Sequence, residues 1–207
     1  HERPMLFETN DLANIMLSQS VRRYVNEFNV VAGKEIVLYG NNDSIYNTAI
    51  DLRKHNVESK VIDVRASGVE SEIVLEAKNL GIEVFQGFAI LKAKGKSRVT
   101  GIEISKVEMQ AKPPHWKSKW RVTGDTQTLN CDLLATSGGF NPVVHLDCHC
   151  GGKTYFDENS QSFLGQKDRK NRQLCGAVNS IGFWKDAIAD AKNKAQLTLL
   201  SLGEDNE

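Results

Sequence analysis

The chain has 207 residues, and its 26 basic and 26 acidic side chains leave no formal net charge. That balance argues against nucleic acid or an anionic membrane as the main partner, since both favour a basic surface. No apolar run approaches the roughly 18–20 residues needed to span a bilayer. Four cysteines, Cys131, Cys148, Cys150 and Cys175, do not make a disulfide framework at this size, so a reducing, cytoplasmic setting is expected. There is no signal-peptide pattern at the start, and a first residue His1 rather than Met reads as a piece of a longer chain.

Residues 1–29 open with His1–Glu2–Arg3–Pro4 and an irregular stretch. Leu17, Val21, Tyr24, Val25 and Phe28 then recur at helical spacing, with Asp11 and Ser18 as candidate caps. Val30–Lys34 is a polar turn, and residues 35–39 are a buried strand ending at Gly40. Ile45, Ala49 and Leu52 mark a helix that ends at His55–Asn56. Asp43 and Ser44 suit its first turn, where acidic and hydroxyl groups answer free backbone N–H groups. Lys60–Val64 is a second strand. Val69, Ile73, Ala77 and Leu80 form a helix closed by Gly81, and Ile82–Phe85 is a third strand.

The pattern then changes to short alternating segments, Ala89–Ala93, Val99–Met109 and Trp120–Val122, which read as an antiparallel meander. The stretch Lys112–Lys119 reads as a surface hairpin tip. Trp116 and Trp120 among Lys112, Lys117, Lys119 and Arg121 resemble a nucleic-acid platform, but the cluster is short in a neutral chain, and an exposed hairpin is the better reading. A strand at 130–136 ends at Gly138–Gly139, Gln173–Val178 is one more short apolar segment, and Trp184, Ile188, Ala191, Ala195 and Leu199 make a long final helix with a frayed tail at 204–207. The order βαβαβ, meander, return strand and terminal helix predicts an α/β fold. Specifically, it predicts a Rossmann-like parallel sheet with an antiparallel β-meander, of the flavoprotein (pyridine nucleotide-disulfide reductase-like) type.

Three turns carry candidate cofactor chemistry. Gly40–Asn41–Asn42 stands where a dinucleotide fingerprint would place its glycines, but only the first glycine is present: Asn42 and Ile45 occupy the other two positions. Asp43 adds negative charge where a pyrophosphate would lie, so a Rossmann-shaped unit without nucleotide is an equal alternative. Asp63 follows Gly40 at close to the ~20-residue interval of a ribose-binding carboxylate, which favours NAD over NADP; Arg65 is a counter-signal, and a solvated strand-end acid is the plain alternative. Gly138, Gly139 and Asn141 form a second glycine-bearing turn at a strand end, alternatively a simple crossover. Gly176 sits in a short apolar segment ahead of a helix. His145, Cys148, His149 and Cys150 are poorly spaced for a tetrahedral metal. No nucleophile–base pair is evident, because Ser44, Ser137 and Ser180 lack an elbow sequence.

Several stretches together resemble one family. His1–Glu2–Arg3–Pro4, Asn10–Asp11–Leu12, Ile15–Met16–Leu17, Val21–Arg22–Arg23–Tyr24–Val25–Asn26, Asn42–Asp43–Ser44–Ile45–Tyr46 and above all Ser137–Gly138–Gly139–Phe140–Asn141–Pro142–Val143–Val144–His145–Leu146 are similar to the alpha subunit of heterotetrameric sarcosine oxidase. That family usually has Trp where this chain has Phe140, and it lacks the Cys-His-Cys. The resemblance implies a part of an oxidoreductase complex that oxidises sarcosine to glycine, passing the one-carbon unit to tetrahydrofolate and electrons to oxygen. It further implies beta, gamma and delta partner subunits, FAD and FMN on or against the beta subunit, and NAD in the alpha subunit. It divides the chain into a helical lead-in at 1–30, part of the first cofactor domain, an inserted dinucleotide-type domain at 31–134, and a return segment of the first cofactor domain at 135–207. The fingerprint of that first domain would lie upstream of His1, Gly138, Gly139 and Gly176 would face its cofactor, and this piece alone would be inactive. The alternatives are a scaffold or docking module that binds no nucleotide, and an NAD(P)H-dependent reductase, which the missing fingerprint and the absence of a redox Cys-x-x-Cys disfavour.

Overall fold

The structure, a computed structural model, describes residues 1–68, 70–109, 120–166 and 172–204. The expected hairpin tip at 112–119, the helical position Val69 and the last three residues of the expected frayed tail lie outside them. The chain divides into two compact units, one of Glu2–Gly139 and one of Phe140–Glu207 together with His1.

The first unit runs β1 (Ile15–Leu17), α1 (Ser18–Phe28), β2 (Ile36–Gly40), α2 (Ser44–Lys54), β3 (Ser59–Asp63), α3 (Glu72–Asn79) and β4 (Glu83–Gln86). It continues with β5 (Phe88–Gly95), β6 (Val99–Met109), β7 (Trp120–Val122), β8 (Gln127–Asn130) and β9 (Leu133–Ser137). The strands β1-β9-β2-β3-β4 form one sheet in that order, every pair parallel. β5 and β8 pair antiparallel with β6 over overlapping stretches, and β7 pairs with the far end of β6.

Side-chain alternation divides the core into two layers. Ile36, Leu38, Val61, Leu133 and Ala135 point to the helices and pack with Val21, Val25, Ile45, Tyr46, Ala49 and Leu52. Val37, Tyr39, Ile62 and Leu134 point the other way, onto Ala89, Ile90, Ile102 and Ile104 of the meander. Strands covered on both faces tend to be apolar along their length, as β2 is and as β9 is from Leu133 to Ala135. Ile15–Leu17, expected inside or before a helix, is an edge strand beside β9, and Ser18 does not cap α1 through its side chain. Its hydroxyl donates to Thr48 Oγ1 on α2 at 2.8 Å instead. Residues 15–28 therefore supply a strand and a covering helix to the same sheet as β2.

The second unit contains α4 (His145–His149), the antiparallel hairpin β10 (Thr154–Asp157) and β11 (Ser162–Gly165), a 3-10 turn at Gly176–Asn179, and α5 (Trp184–Glu204). The segment Gln173–Val178, expected as a strand-like stretch, turns at its end. Gly176 adopts φ +68, its N–H donates to Asp190 Oδ2 on α5 at 2.8 Å, and Asn179 Nδ2 closes back on the Leu174 carbonyl at 2.6 Å. Asp147 is buried and ion-pairs with Arg172. Among the described residues no helix is long and apolar enough to cross a membrane.

Candidate functional site

In open α/β sheets ligands gather at the carboxyl ends of the strands. In the first unit this crest is formed by the ends of β9, β2 and β3 and the start of α2. A Cβ placed on Gly40 would lie 2.6 Å from the Ser137 carbonyl oxygen and 2.7 Å from Ile45 Cγ2. The glycine thus lets β9 and α2 close on the turn, and the space beside it is filled by protein.

Asn42 holds the turn. Its Nδ2 donates to the Ser137 carbonyl and to Ser137 Oγ, both at 3.1 Å. Its Oδ1 accepts from the Ser44 N–H at 3.0 Å and from Ser44 Oγ at 2.5 Å, and the two serine hydroxyls lie 3.0 Å apart. Asn41 N–H donates to the Ser137 carbonyl at 3.3 Å. The expectation that Asp43 answers first-turn N–H groups is corrected: its side chain makes no capping bond, and it ion-pairs with Arg65 Nη2 at 2.8 Å. The carboxamide suits the capping role because it accepts and donates at once, so it caps α2 and ties it to β9.

Asp63 is fully buried. Its Oδ2 accepts from Tyr46 Oη and from Arg65 Nη2, each at 2.8 Å, and its Oδ1 accepts from the Arg65 N–H at 2.9 Å and Arg65 Nε at 3.0 Å. A carboxylate offers about four lone-pair sites, and all are taken from within the chain. Burial, and then the Asp63 charge, push the Tyr46 hydroxyl well above its ordinary range. Burial disfavours the charge on Arg65, but Asp63 and Asp43 outweigh it and make the guanidinium more basic than usual.

Beside β9, the Gly138 N–H donates to the Arg3 carbonyl at 2.6 Å and the Arg3 N–H to the Gly139 carbonyl at 2.8 Å. A Cβ on Gly138 would sit 2.8 Å from the Pro4 carbonyl, and Gly139 takes φ +92. Glu2 is buried, and its Oε2 accepts from the Gln19 N–H at the start of α1 at 2.9 Å. Burial raises its carboxyl above the ordinary range, against the lowering effect of hydrogen bonds from Gln19 and Ser137.

Gly40, Asn41, Asn42, Asp63, Gly138 and Gly139 therefore belong to the first unit, where the first three and Gly138 adjoin Ser137. Asn141 and Gly176 belong to the second. There Asn141 N–H donates to the His1 carbonyl at 2.7 Å, while its own carbonyl accepts from the His1 ammonium at 2.8 Å. Sequence reasoning missed Tyr46, Ser137 as a partner, and Glu2. Only Tyr46 carried a signal, a phenol on the apolar stripe of α2 that needs a polar partner when buried. Cys148 and Cys150 are exposed, and Cys131 is buried. Burial, then Asp132 and Glu35, push the Cys131 thiol up to about 12. Among the described residues no three His, Cys, Asp or Glu side chains are grouped to hold a metal ion.

A dinucleotide does not fit this crest as it stands. The pyrophosphate position at the start of α2 meets the Asn42 carboxamide and the Asp43 carboxylate, and a ribose hydroxyl meets an Asp63 carboxylate with no free acceptor.

No family model matches the sequence. The sarcosine oxidase alpha subunit of Corynebacterium sp. (strain U-96) is 33% identical over 183 residues, covering 87% of this chain and 18% of that protein. The sarcosine oxidase alpha subunit of Rhizobium meliloti (strain 1021) is 26% identical over 208 residues, 98% of this chain and 18% of that protein. The chain thus spans less than a fifth of the length of the curated relatives it matches. Among solved structures, T. acidophilum thioredoxin reductase superposes with a TM-score of 0.65 at 17% identity, over 92% of this chain and 59% of that one. Mycobacterium tuberculosis FprA in complex with NADPH does so with a TM-score of 0.65 at 14% identity, over 98% of this chain and 62% of that one. These likenesses establish the flavoprotein-reductase type of α/β fold.

Proposed function

Starting from the homology of this chain to a segment of sarcosine oxidase alpha subunits, we propose that it is part of the NAD-carrying alpha subunit of a sarcosine oxidase-like, amine-oxidising flavoenzyme. The observation that carries the reading is the 33% identity over 87% of the chain. It takes in 183 residues, far more than one strand-turn-helix unit, so it is more than a shared nucleotide-binding shape. In this reading the oxidative demethylation of sarcosine to glycine takes place on a partner subunit. FAD and FMN sit on or against that partner, tetrahydrofolate takes the one-carbon unit, and beta, gamma and delta subunits complete a cytoplasmic complex.

NAD in such a subunit rests mainly on a first fingerprint upstream of His1. Gly138 and Gly139 of the first unit, and, separately, Asn141 and Gly176 of the second, are proposed as further residues on the cofactor's side of their segments. The flanking segments 1–30 and 135–207 are proposed as parts of the first cofactor domain, and 31–134 as the inserted one. Gly40, Asn41, Asn42 and Asp63 shape the inserted domain. This piece by itself is inactive.

A second reading, a scaffold that binds no nucleotide and serves subunit docking, is favoured by the filled crest around Asn42 and Asp63. Calorimetric titration of NAD onto this chain and onto one extended upstream separates the two. Binding by the extended chain, with sarcosine-dependent oxygen consumption once the partner subunits are added, is the expected result. Absence of NAD from both chains leaves the scaffold reading.

A further inference from the structure

We propose that the crest of the first unit is closed to dinucleotides by its own side chains, Asn42 by filling the phosphate position and Asp43 by its charge, and that once both are removed the crest takes a phosphate on Arg65. The inference rests on the crest geometry and holds whether or not the chain serves an amine oxidase.

Three features carry it. First, the position of the second fingerprint glycine is filled by Asn42, whose carboxamide bridges Ser137 and Ser44 in four hydrogen bonds of 2.5–3.1 Å. A pyrophosphate would have to break that bridge. Second, Asp43, Asp63 and Arg65 form a group with two negative charges and one positive. Its net negative charge repels phosphate oxygens at the place where the start of α2 would otherwise attract them. Third, Asp63 has no lone pair left for a 2′-hydroxyl, so the usual basis for choosing NAD is gone. Arg65 differs. Asp63 holds its inner side, while Asp43 covers Nη2 from a half-exposed position. With Asp43 neutral, the guanidinium keeps its place on Asp63 and presents an uncovered charge, and arginine pairs well with phosphate.

The test is titration of NAD and of NADP onto the 207-residue chain, its Asp43→Asn variant and its Asn42→Gly/Asp43→Asn variant. Affinity is read by calorimetry, and the site by amide shifts of residues 40–44. The original chain should show no saturable shifts at those amides with either dinucleotide. The double variant should bind NADP at least about tenfold more tightly than NAD, with those amides moving, and adding Arg65→Ala should abolish the gain. Asp43→Asn alone, with the Asn42 bridge still in place, should stay without saturable shifts, and Asn42→Ala/Asp43→Asn takes the place of the double variant if that one fails to fold. Saturable shifts at residues 40–44 in the original chain would overturn the exclusion. So would a folded double variant of either kind that binds neither dinucleotide. Equal gains for NAD and NADP would overturn the phosphate assignment. NAD bound by an upstream-extended chain without shifts at 40–44 leaves both this inference and the proposed function standing.

Discussion

The hydroxyl of Tyr46 donates to Asp63 across 2.8 Å, and both side chains are fully buried. That bond joins α2 to the end of β3, and the Arg65 side chain saturates the rest of the same carboxylate. Tyr46→Phe keeps the ring packing but strips one donor from a buried acceptor. The expected loss is about 1–2 kcal/mol, read as a lower urea midpoint at unchanged slope. Asp63→Ala strands both Tyr46 and Arg65 and should cost more, about 3 kcal/mol. A Tyr46→Phe chain as stable as the parent would refute the bond's role.

Gly40 is required for proximity. A methyl there would overlap the Ser137 carbonyl at 2.6 Å and Ile45 Cγ2 at 2.7 Å, and a strand backbone cannot rotate away. Gly40→Ala should destabilise the chain by about 1–3 kcal/mol through overpacking. Gly182→Ala, where nothing lies within 4 Å of the added carbon, should stay within about 0.5 kcal/mol of the parent. Thermal melts of the two variants side by side make the comparison, and equal losses would contradict it.

The parallel sheet was legible in the sequence because β2 is a buried apolar run that ends at Gly40, β3 turns buried and apolar at Val61–Ile62 before Asp63, and β9 opens on Leu133–Leu134–Ala135 before Ser137. The strands β1, β10 and β11 were not. They are three or four residues long, too short for a period to show, and β10 is largely exposed. At the crest, Gly40 and Asp63 were visible as a turn glycine and a strand-end acid. Their partners were not, because Ser137 reaches Asn42 from 95 positions away and Tyr46 reaches Asp63 from 17. No local pattern encodes such pairs; the sheet order brings them together.

Glu2 and Asp51 give opposite responses to acid. Burial raises the Glu2 carboxyl, so the folded chain holds that proton more tightly than the unfolded one. The charged carboxylate then costs stability above its folded pKa, and the cost is relieved as pH falls into the ordinary carboxylate range. Burial also acts against the Asp51 charge, but hydrogen bonds from Arg22 and Asn26 and the charge of Arg22 outweigh it and lower that carboxyl. Its stabilising contribution is present above the unfolded pKa and is lost as pH falls through the folded one. Glu2→Gln should therefore raise the urea midpoint at neutral pH, with the advantage shrinking towards about pH 4. Asp51→Asn should lower the midpoint at neutral pH, with its penalty shrinking in more acid solution. A Glu2→Gln advantage that grew with acid would mean that the folded chain favours the Glu2 carboxylate over its protonated form.

In the second unit, Asp147 and Arg172 form an ion pair in which neither side chain is much exposed. Removing one partner leaves the other charged in a site of low polarity, which costs far more than the pair contributes. Arg172→Ala should lose about 3–5 kcal/mol, and Arg172→Ala with Asp147→Ala should recover part of it. Chemical denaturation of the single and double variants reads the recovery. Strictly additive losses would mean that the two charges do not compensate each other.

The bridge between Asn42 and Ser137 should show coupling for a related reason. Asn42 Nδ2 donates both to the Ser137 carbonyl and to Ser137 Oγ, and Ser137 Oγ also meets Ser44 Oγ. Ser137→Ala removes one acceptor and the hydroxyl's hydrogen bond to Glu2 but leaves the carbonyl, so its loss should be about 0.5–1.5 kcal/mol. Asn42→Ala removes both donations together with the cap on Ser44 N–H, so its loss should be larger, about 1–2 kcal/mol. Because one bond belongs to both deletions, the double variant should lose less than their sum, by at least about 0.5 kcal/mol. Simple additivity would place the strength of the turn in the backbone, in the Asn41 N–H on the Ser137 carbonyl at 3.3 Å and the β2–β9 ladder that ends with Gly40 beside Ser137.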